Sequence, residues 1–488
     1  MEATTGVQKK NWVFIIGVLM LSVGMQFANY GTAVVVSGEV GKMDAMQYYV
    51  LIAALGSLGM MLILPIVGKL TAIMGQRNMI LYGILIQVAG RVMMMFMTNW
   101  MLYSVAYLIQ SIGGGFYISA AFVLMAGAVA PTQRAKYFGY IAVANAIGAI
   151  FGPILISAMY AAGGALGSLA YIANLPLTVV GFLMIIKDCP NKKTPGSAKG
   201  FDFAGLILTV VGVACLVLWM NLGGKMFTWL SLPSLIMAAI AAITLILMLR
   251  RELTIENPAV PIKMFKNSRL TYAFIGSIVA AAFSTCSATY SVMWIRMNFG
   301  GLPASTFFNG TATLAQNIII LILGFFLGGF IGKRFTKRFR TFGIFAMFAA
   351  MVATGVLFCL QYTGTAEAAT VRMLGNSSVP LGMVLIYLAT AIGGFTSVVA
   401  QSTFSAFWQS NTKPEDIPSG QAMYNFGATG GSAIFSAVVG IALGNTTDYS
   451  RAFAVGFVFA AIGLVCAIVG FRFSKEEMGA AERGRVPA

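Results

Sequence analysis

Histidine is absent from this chain, and aspartate and glutamate together number only 14 among 488 residues. The acidic residues, Glu39, Asp44, Asp202 and Glu252 among them, read as loop or tail positions outside the long apolar runs. The sequence therefore lacks an imidazole for proton transfer near neutral pH, and it lacks paired carboxylates inside a span. With short loops as well, it offers no catalytic cluster, so it does not read as an enzyme and implies no cofactor. Cysteine is scarce too, at five. Cys215, Cys286, Cys359 and Cys466 fall in apolar runs and Cys189 in a basic loop, which suits small packing residues and no metal or redox site. Also missing is the short alternation of apolar and polar residues that a membrane barrel needs.

Hydrophobic residues supply 59% of the chain and charged residues 9%, with a mean hydropathy of +0.86. A soluble domain carries about 25% charged residues, so the solvent here is the bilayer. The apolar runs are each roughly twenty residues long, the length of a spanning helix. The expected fold is an all-α polytopic membrane protein with about fourteen spans. They fall near 12–36, 47–67, 78–97, 100–124, 138–160 and 165–186, then 204–222 and 232–249, then 270–295, 309–331, 342–361, 380–404, 422–443 and 451–471. The first run is too long for a signal peptide core and runs into another, so it reads as a retained span.

The formal charge of +17 belongs to loops that alternate along the chain, not to a nucleic-acid surface. Most of the lysines and arginines fall on the side that holds both termini, as in Lys69 and Arg77, Arg134 and Lys136, and the cluster Lys333, Arg334, Lys337, Arg338 and Arg340. Lys42, Lys225, Arg372 and Arg451 fall on the other. The positive-inside rule then places both termini in the cytoplasm of a cell with a prokaryotic type of cytoplasmic membrane. A lysine-, proline- and glycine-bearing stretch from Lys187 to Gly200 marks a linker. The expected organisation is a six-helix bundle over 1–186, a linker with two extra spans over 187–269, a second six-helix bundle over 270–472 and a cytoplasmic tail over 473–488. Duplicated bundles of this kind commonly enclose a substrate cavity at the bilayer midplane.

Between the second and third spans stands Gly68-Lys69-Leu70-Thr71-Ala72-Ile73-Met74-Gly75-Gln76-Arg77. It resembles the G-x-L-x-D-R-x-G-R-R loop signature of the major facilitator superfamily, and the basic stretch 329–338 echoes it in the second half. Gly148-Ala149-Ile150-Phe151-Gly152-Pro153 resembles the G-x-x-x-G-P element of that superfamily's antiporters. Small residues four apart let helices approach, and a proline can bend one. Asn174-Leu175-Pro176, Phe201-Asp202-Phe203-Ala204-Gly205 and Asn257-Pro258-Ala259-Val260-Pro261 look like the fourteen-span drug/proton antiporter branch. The resemblance implies a major facilitator fold that moves a small-molecule substrate by alternating access, as a monomer among membrane lipids, with the proton as a possible coupled ion. Gly68, Gly75, Arg77, Gly148, Gly152 and Pro153 would serve its conformational motifs.

Several positions depart from the branch. Asn29 stands where it usually has an aspartate, Tyr107 where it has an arginine, and Ala72 replaces the loop aspartate. The charge left at membrane depth is cationic: Arg91, with no acidic partner in any span, and Arg296, near the end of the ninth. A guanidinium fork suits a carboxylate or sulfonate. For Arg296, snorkelling to the interface competes with that role, and for Arg91, a structural role against carbonyls or headgroups does. Intramembrane amides Gln26, Asn29, Gln87, Gln110, Asn145, Gln316, Asn317 and Gln401 divide between cavity lining and interhelical bonds. The resemblance puts spans 1, 4 and 5 on the cavity, which favours Asn29, Tyr30, Gln110 and Asn145, beside Tyr107, as substrate contacts. The expected function is a secondary transporter of an amphipathic organic anion, of the bile-acid or other carboxylate type, with proton-coupled multidrug efflux as the alternative. A single-chain channel would instead pass solute without saturation. Arg296→Ala is expected to weaken anion transport with insertion intact, checked by uptake kinetics at matched protein levels.

Overall fold

The structure, a computed structural model, describes residues 12–45, 48–129, 133–189, 191, 202–224, 226–255, 258–291, 294, 314–326, 335–364, 369–372, 378–413, 416–443, 448 and 450–470. The sequence of the chain dictates long helices, because hydrocarbon offers no partner for a backbone N–H or C=O. The first six are α1 (Trp12–Lys42), α2 (Tyr49–Met74), α3 (Gln76–Phe96), α4 (Trp100–Ala128), α5 (Arg134–Ala162) and α6 (Gly164–Ile185). Next come α7 (Phe203–Leu222) and α8 (Leu232–Thr254). The rest are α9 (Ser268–Thr285), α10 (Leu314–Phe326), α11 (Phe335–Tyr362), α12 (Leu381–Ser410), α13 (Ile417–Leu443) and α14 (Ser450–Gly470). Among the described residues, eleven helices are long and apolar enough to cross a membrane.

Several helices run past the apolar stretch that marks them. α1 continues to Lys42 and α8 to Thr254, so Glu39 and Glu252, expected in loops, are helical. Glu252 is fully buried. Its carboxylate faces the backbone amides of Ala259 and Val260, while the neighbouring Asp202 caps α7 at the Gly205 amide and takes a two-pronged bond from Arg251 Nε at 2.8 and 2.9 Å. This cluster ties the start of α7 to the end of α8. A small antiparallel hairpin, β1 (Thr370–Arg372) with β2 (Ser378–Pro380), leads into α12.

Packing follows the small residues. α1 lies along α5, where a side chain at Gly148 or Gly152 would run into the backbone of Val23 and Phe27. α3 lies on α4, α4 on α2, and α6 on α1. In the last six, α11 packs on α12 and α14, and α9 on α13 and α14. The first and last six meet along α2 with α13 and along α5 with α12, and α7 lies on both α2 and α13. These meetings gather toward the end that carries the α2–α3 turn, called the basic end below. There Gly68 abuts Ser419, Gly139 abuts the backbone of Gly324, and Tyr140 touches Phe325 with ring centroids 5.6 Å apart.

Gly148→Ala is expected to lower the midpoint of thermal unfolding in detergent, since overpacking costs roughly 1–3 kcal/mol and outweighs the better helix propensity of alanine. Gly127→Ala, where nothing lies near the added carbon, should leave it unchanged or raise it.

Candidate functional site

A cavity of about 240 Å³ lies at mid-depth between the first and last six helices. That is at the small end of ligand clefts, which run from roughly 300 to 1,000 Å³. Six helices line it. α1 presents Ser22, Met25 and Gln26; α5 presents Ile141 and Asn145; α4 presents Tyr117 and Phe122. From the other side come Ser277 and Ser284 of α9, Gln401 of α12, and Tyr424, Asn425 and Thr429 of α13. Among the described residues the lining is apolar, hydroxyl or amide in character, with no charged side chain.

Local sequence explains how these groups are held. α4 breaks its regular winding at Ser119, which brings both Tyr117 and Phe122 to the cavity. Tyr117 Oη donates to Gln87 Oε1 at 2.6 Å, so an amide on α3 reaches the cavity wall through a phenol on α4. A π-helical turn, Cys286–Tyr290, follows directly on α9, and another, Val399–Phe404, lies within α12, both of the kind that commonly marks functional positions. Asn145 Nδ2 donates to Gln401 Oε1 at 3.0 Å, a side-chain bond that joins the first six helices to the last. On α13, Gln421 Oε1 accepts from Ser405 Oγ at 3.0 Å and Gln409 Nε2 at 2.8 Å, and its Nε2 donates to Asn425 Oδ1 at 3.4 Å. Asn425 Nδ2 is buried with no hydrogen-bond partner.

Of the substrate contacts expected from sequence, Asn145 lines this cavity, as do the amides Gln26 and Gln401. Asn29 and Tyr30 lie about one turn farther from the basic end on α1, with Tyr30 53% exposed, and neither lines it. The ring of Tyr107 packs over Gly56 of α2. Arg296 lies outside the described residues.

Arg91 and Gln110 come together away from the cavity. Arg91, 1% exposed, donates from Nη1 to the Tyr171 carbonyl at 2.8 Å and Asn174 Oδ1 at 3.2 Å, and from Nη2 to Thr32 Oγ1 at 2.7 Å and Gln110 Oε1 at 3.4 Å. One guanidinium thereby fastens α3 to α1, α4 and α6. Sequence reasoning missed Gln421, Asn425 and Gln409; the four-residue spacing of Gln421 and Asn425 puts both on one helix face and was the available signal.

The motif residues sit at packing points. Gly75, at φ +88°, forms the turn between α2 and α3 beside Asn191, and Pro153 lies inside α5. Burial pushes the Cys189 thiol, just after α6, up to about 12, against the opposing charge of Arg77 on the first turn of α3. At the other end, Tyr160 Oη donates to Glu39 Oε1 at 2.7 Å, and Lys42 Nζ reaches the same oxygen at 2.9 Å.

Arg91→Leu and Arg91→Lys are both expected to lower thermal stability, since a buried acceptor left unmatched costs about 1–3 kcal/mol and the lysine ammonium cannot reach all four. Ligand affinity in the cavity should not change; a changed affinity at matched folding would place Arg91 in the site.

Comparison with known proteins agrees with this architecture. The Multidrug transporter protein MdtP of Bacillus subtilis (strain 168) is 27% identical over 274 residues, 55% of this chain and 49% of that protein. The Multidrug resistance protein 3 of the same strain is 23% identical over 352 residues, 72% of this chain and 68% of that protein. The chain thus spans about half the length of the first and about two thirds of the second. A solved structure of a bacterial homologue of the iron transporter ferroportin in an outward-facing state superposes with a TM-score of 0.62 at 12% identity, over 94% of this chain and 98% of that one. The profile of the Major Facilitator Superfamily matches residues 14–386. With more than half of the chain matched, and with a cavity enclosed between two sets of helices, this integral membrane protein belongs to the Major Facilitator Superfamily of transporters.

Proposed function

We propose that this secondary transporter moves an amphipathic small organic solute across the cytoplasmic membrane by alternating access, and that the solute occupies the cavity in an uncharged or net-neutral form. The observation that carries the reading is the lining: amides and hydroxyls on apolar walls, with no charged side chain among the described residues that form it. A bare ion would find no counter-charge in such a cavity, whereas a neutral solute exchanges water for matched hydrogen bonds. The names of two relatives, a multidrug transporter and a multidrug resistance protein, support an amphipathic substrate class.

The organic-anion form of the reading depends on Arg296, because the four hydrogen bonds of Arg91 described above go to groups of its own bundle. Proton coupling has no carboxylate in the lining to work through, and Glu39 lies at the far end with Tyr160 and Lys42. Exchange or uniport needs neither. With the basic end in the cytoplasm, the contacts of Gly68 with Ser419 and of Gly139 with Gly324 would narrow the cytoplasmic side of the cavity.

Uptake of radiolabelled neutral, anionic and cationic amphipaths into proteoliposomes, set against protein-free liposomes, tests this. Saturable, trans-stimulated movement of neutral solutes that ignores an imposed pH gradient is expected. Saturable uptake of anions alone would replace it with the organic-anion reading, and cation movement driven by the gradient would replace it with drug/proton antiport.

A further inference from the structure

We propose that the Asn145–Gln401 pair is the specificity-determining element of the cavity, and that it selects solutes carrying a hydrogen-bond donor and acceptor side by side, as in a carboxamide, lactam or imide. The proposal rests on the reading above that the cavity takes an uncharged solute. Each primary amide has one carbonyl oxygen and one NH₂ group. The bond from Asn145 Nδ2 to Gln401 Oε1 uses one group of each, and neither side chain makes another hydrogen bond among the described residues. Asn145 Oδ1 and Gln401 Nε2 are therefore left to face the cavity that both residues line. Turning both amides over exchanges the two residues' roles but again leaves one donor and one acceptor. The invariant feature is one free donor and one free acceptor, which a carboxamide can satisfy together and an ester, having no N–H, cannot.

Placement of Gln401 is itself built in. It lies within the π turn of α12, where the Ser405 amide reaches back to the Ala400 carbonyl, and Tyr424 Oη donates to that same carbonyl at 2.7 Å. Tyr424 is buried on α13, so it is a positioning residue: it fixes the turn from which the Gln401 side chain leaves the helix. The pair also joins α5 to α12, one from each set of six helices, so a solute bound to both amides touches both bodies that alternating access must move.

The test uses the 488-residue protein in lipid nanodiscs and equilibrium dialysis of three probes of one shape: 2-naphthamide, methyl 2-naphthoate and 2-naphthoate. The wild type is expected to bind the amide about tenfold more tightly than the ester, the effect of one donor–acceptor match in a partly dry site. The double variant Asn145→Leu/Gln401→Met, nearly isosteric at both positions, should erase that preference, since either amide left alone would still offer a donor beside an acceptor. Tyr424→Phe, which keeps the ring and removes its bond to Ala400, should shrink the ratio of amide to ester affinity. Equal binding of amide and ester by the wild type would overturn the proposal and leave the uncharged-solute reading standing. A preference that survives both substitutions would also overturn it and shift recognition to Gln26 or Asn425. Binding of 2-naphthoate alone, or of none of the three, would overturn this proposal and the reading beneath it together.

Discussion

Hydrocarbon supplies no hydrogen bonds, and every buried polar group in this protein has to be answered from within the protein. Arg91 shows the constraint most clearly. Its guanidinium finds neutral acceptors on three other helices, so a charge that no carboxylate balances becomes the rivet of the first bundle. Thr32 contributes to it while donating its own hydroxyl to Ala28, and Asn174 while donating to Thr178. The outer faces of the same helices are as apolar as the lipid they meet, with Leu85, Phe96, Leu102 and Leu183 all exposed. Between helices, where lipid provides no hydrophobic drive, approach depends on small residues such as Gly148 and Gly152.

The cavity is the place where the same constraint is relaxed. Its amides and hydroxyls sit at membrane depth, and Asn145 Oδ1 and Gln401 Nε2 have no hydrogen-bond partner among the described residues. In a packed interior that would be destabilising; against an aqueous cavity, water or a solute completes the set.

How much of this could be read from the sequence depends on which physical signal each feature leaves. Spans leave a strong one: Phe203–Leu222 and Ser450–Gly470 begin and end within a residue of the apolar runs. Glu252 was misjudged because a helix stops where its hydrogen bonds stop, not where hydrophobicity does, and α8 carries its last turn beyond the apolar run. Cavity residues were harder. The expected helices α1, α4 and α5 each contribute to the cavity, but along α1 it is Ser22 and Gln26 that line it, while Asn29 and Tyr30 stand a turn away. Depth depends on how far the bundles close below the cavity, which is a property of Gly139 against Gly324 and of other contacts distant in sequence. The Gln421–Asn425 network was overlooked because α13 starts five residues before its apolar run, so Gln421 read as loop.

The inserted helix α7 lies along α2 and α13, the pair that makes one of the two seams. Its start is locked to α8 by Asp202 and Arg251, so it behaves as part of a two-helix brace and not as a loose strut. A joint braced along one edge stiffens there. Rocking of the two bundles would then be lopsided, like a door on a side hinge: small travel at the α2 and α13 edge, wide travel at the edge formed by α5 and α12.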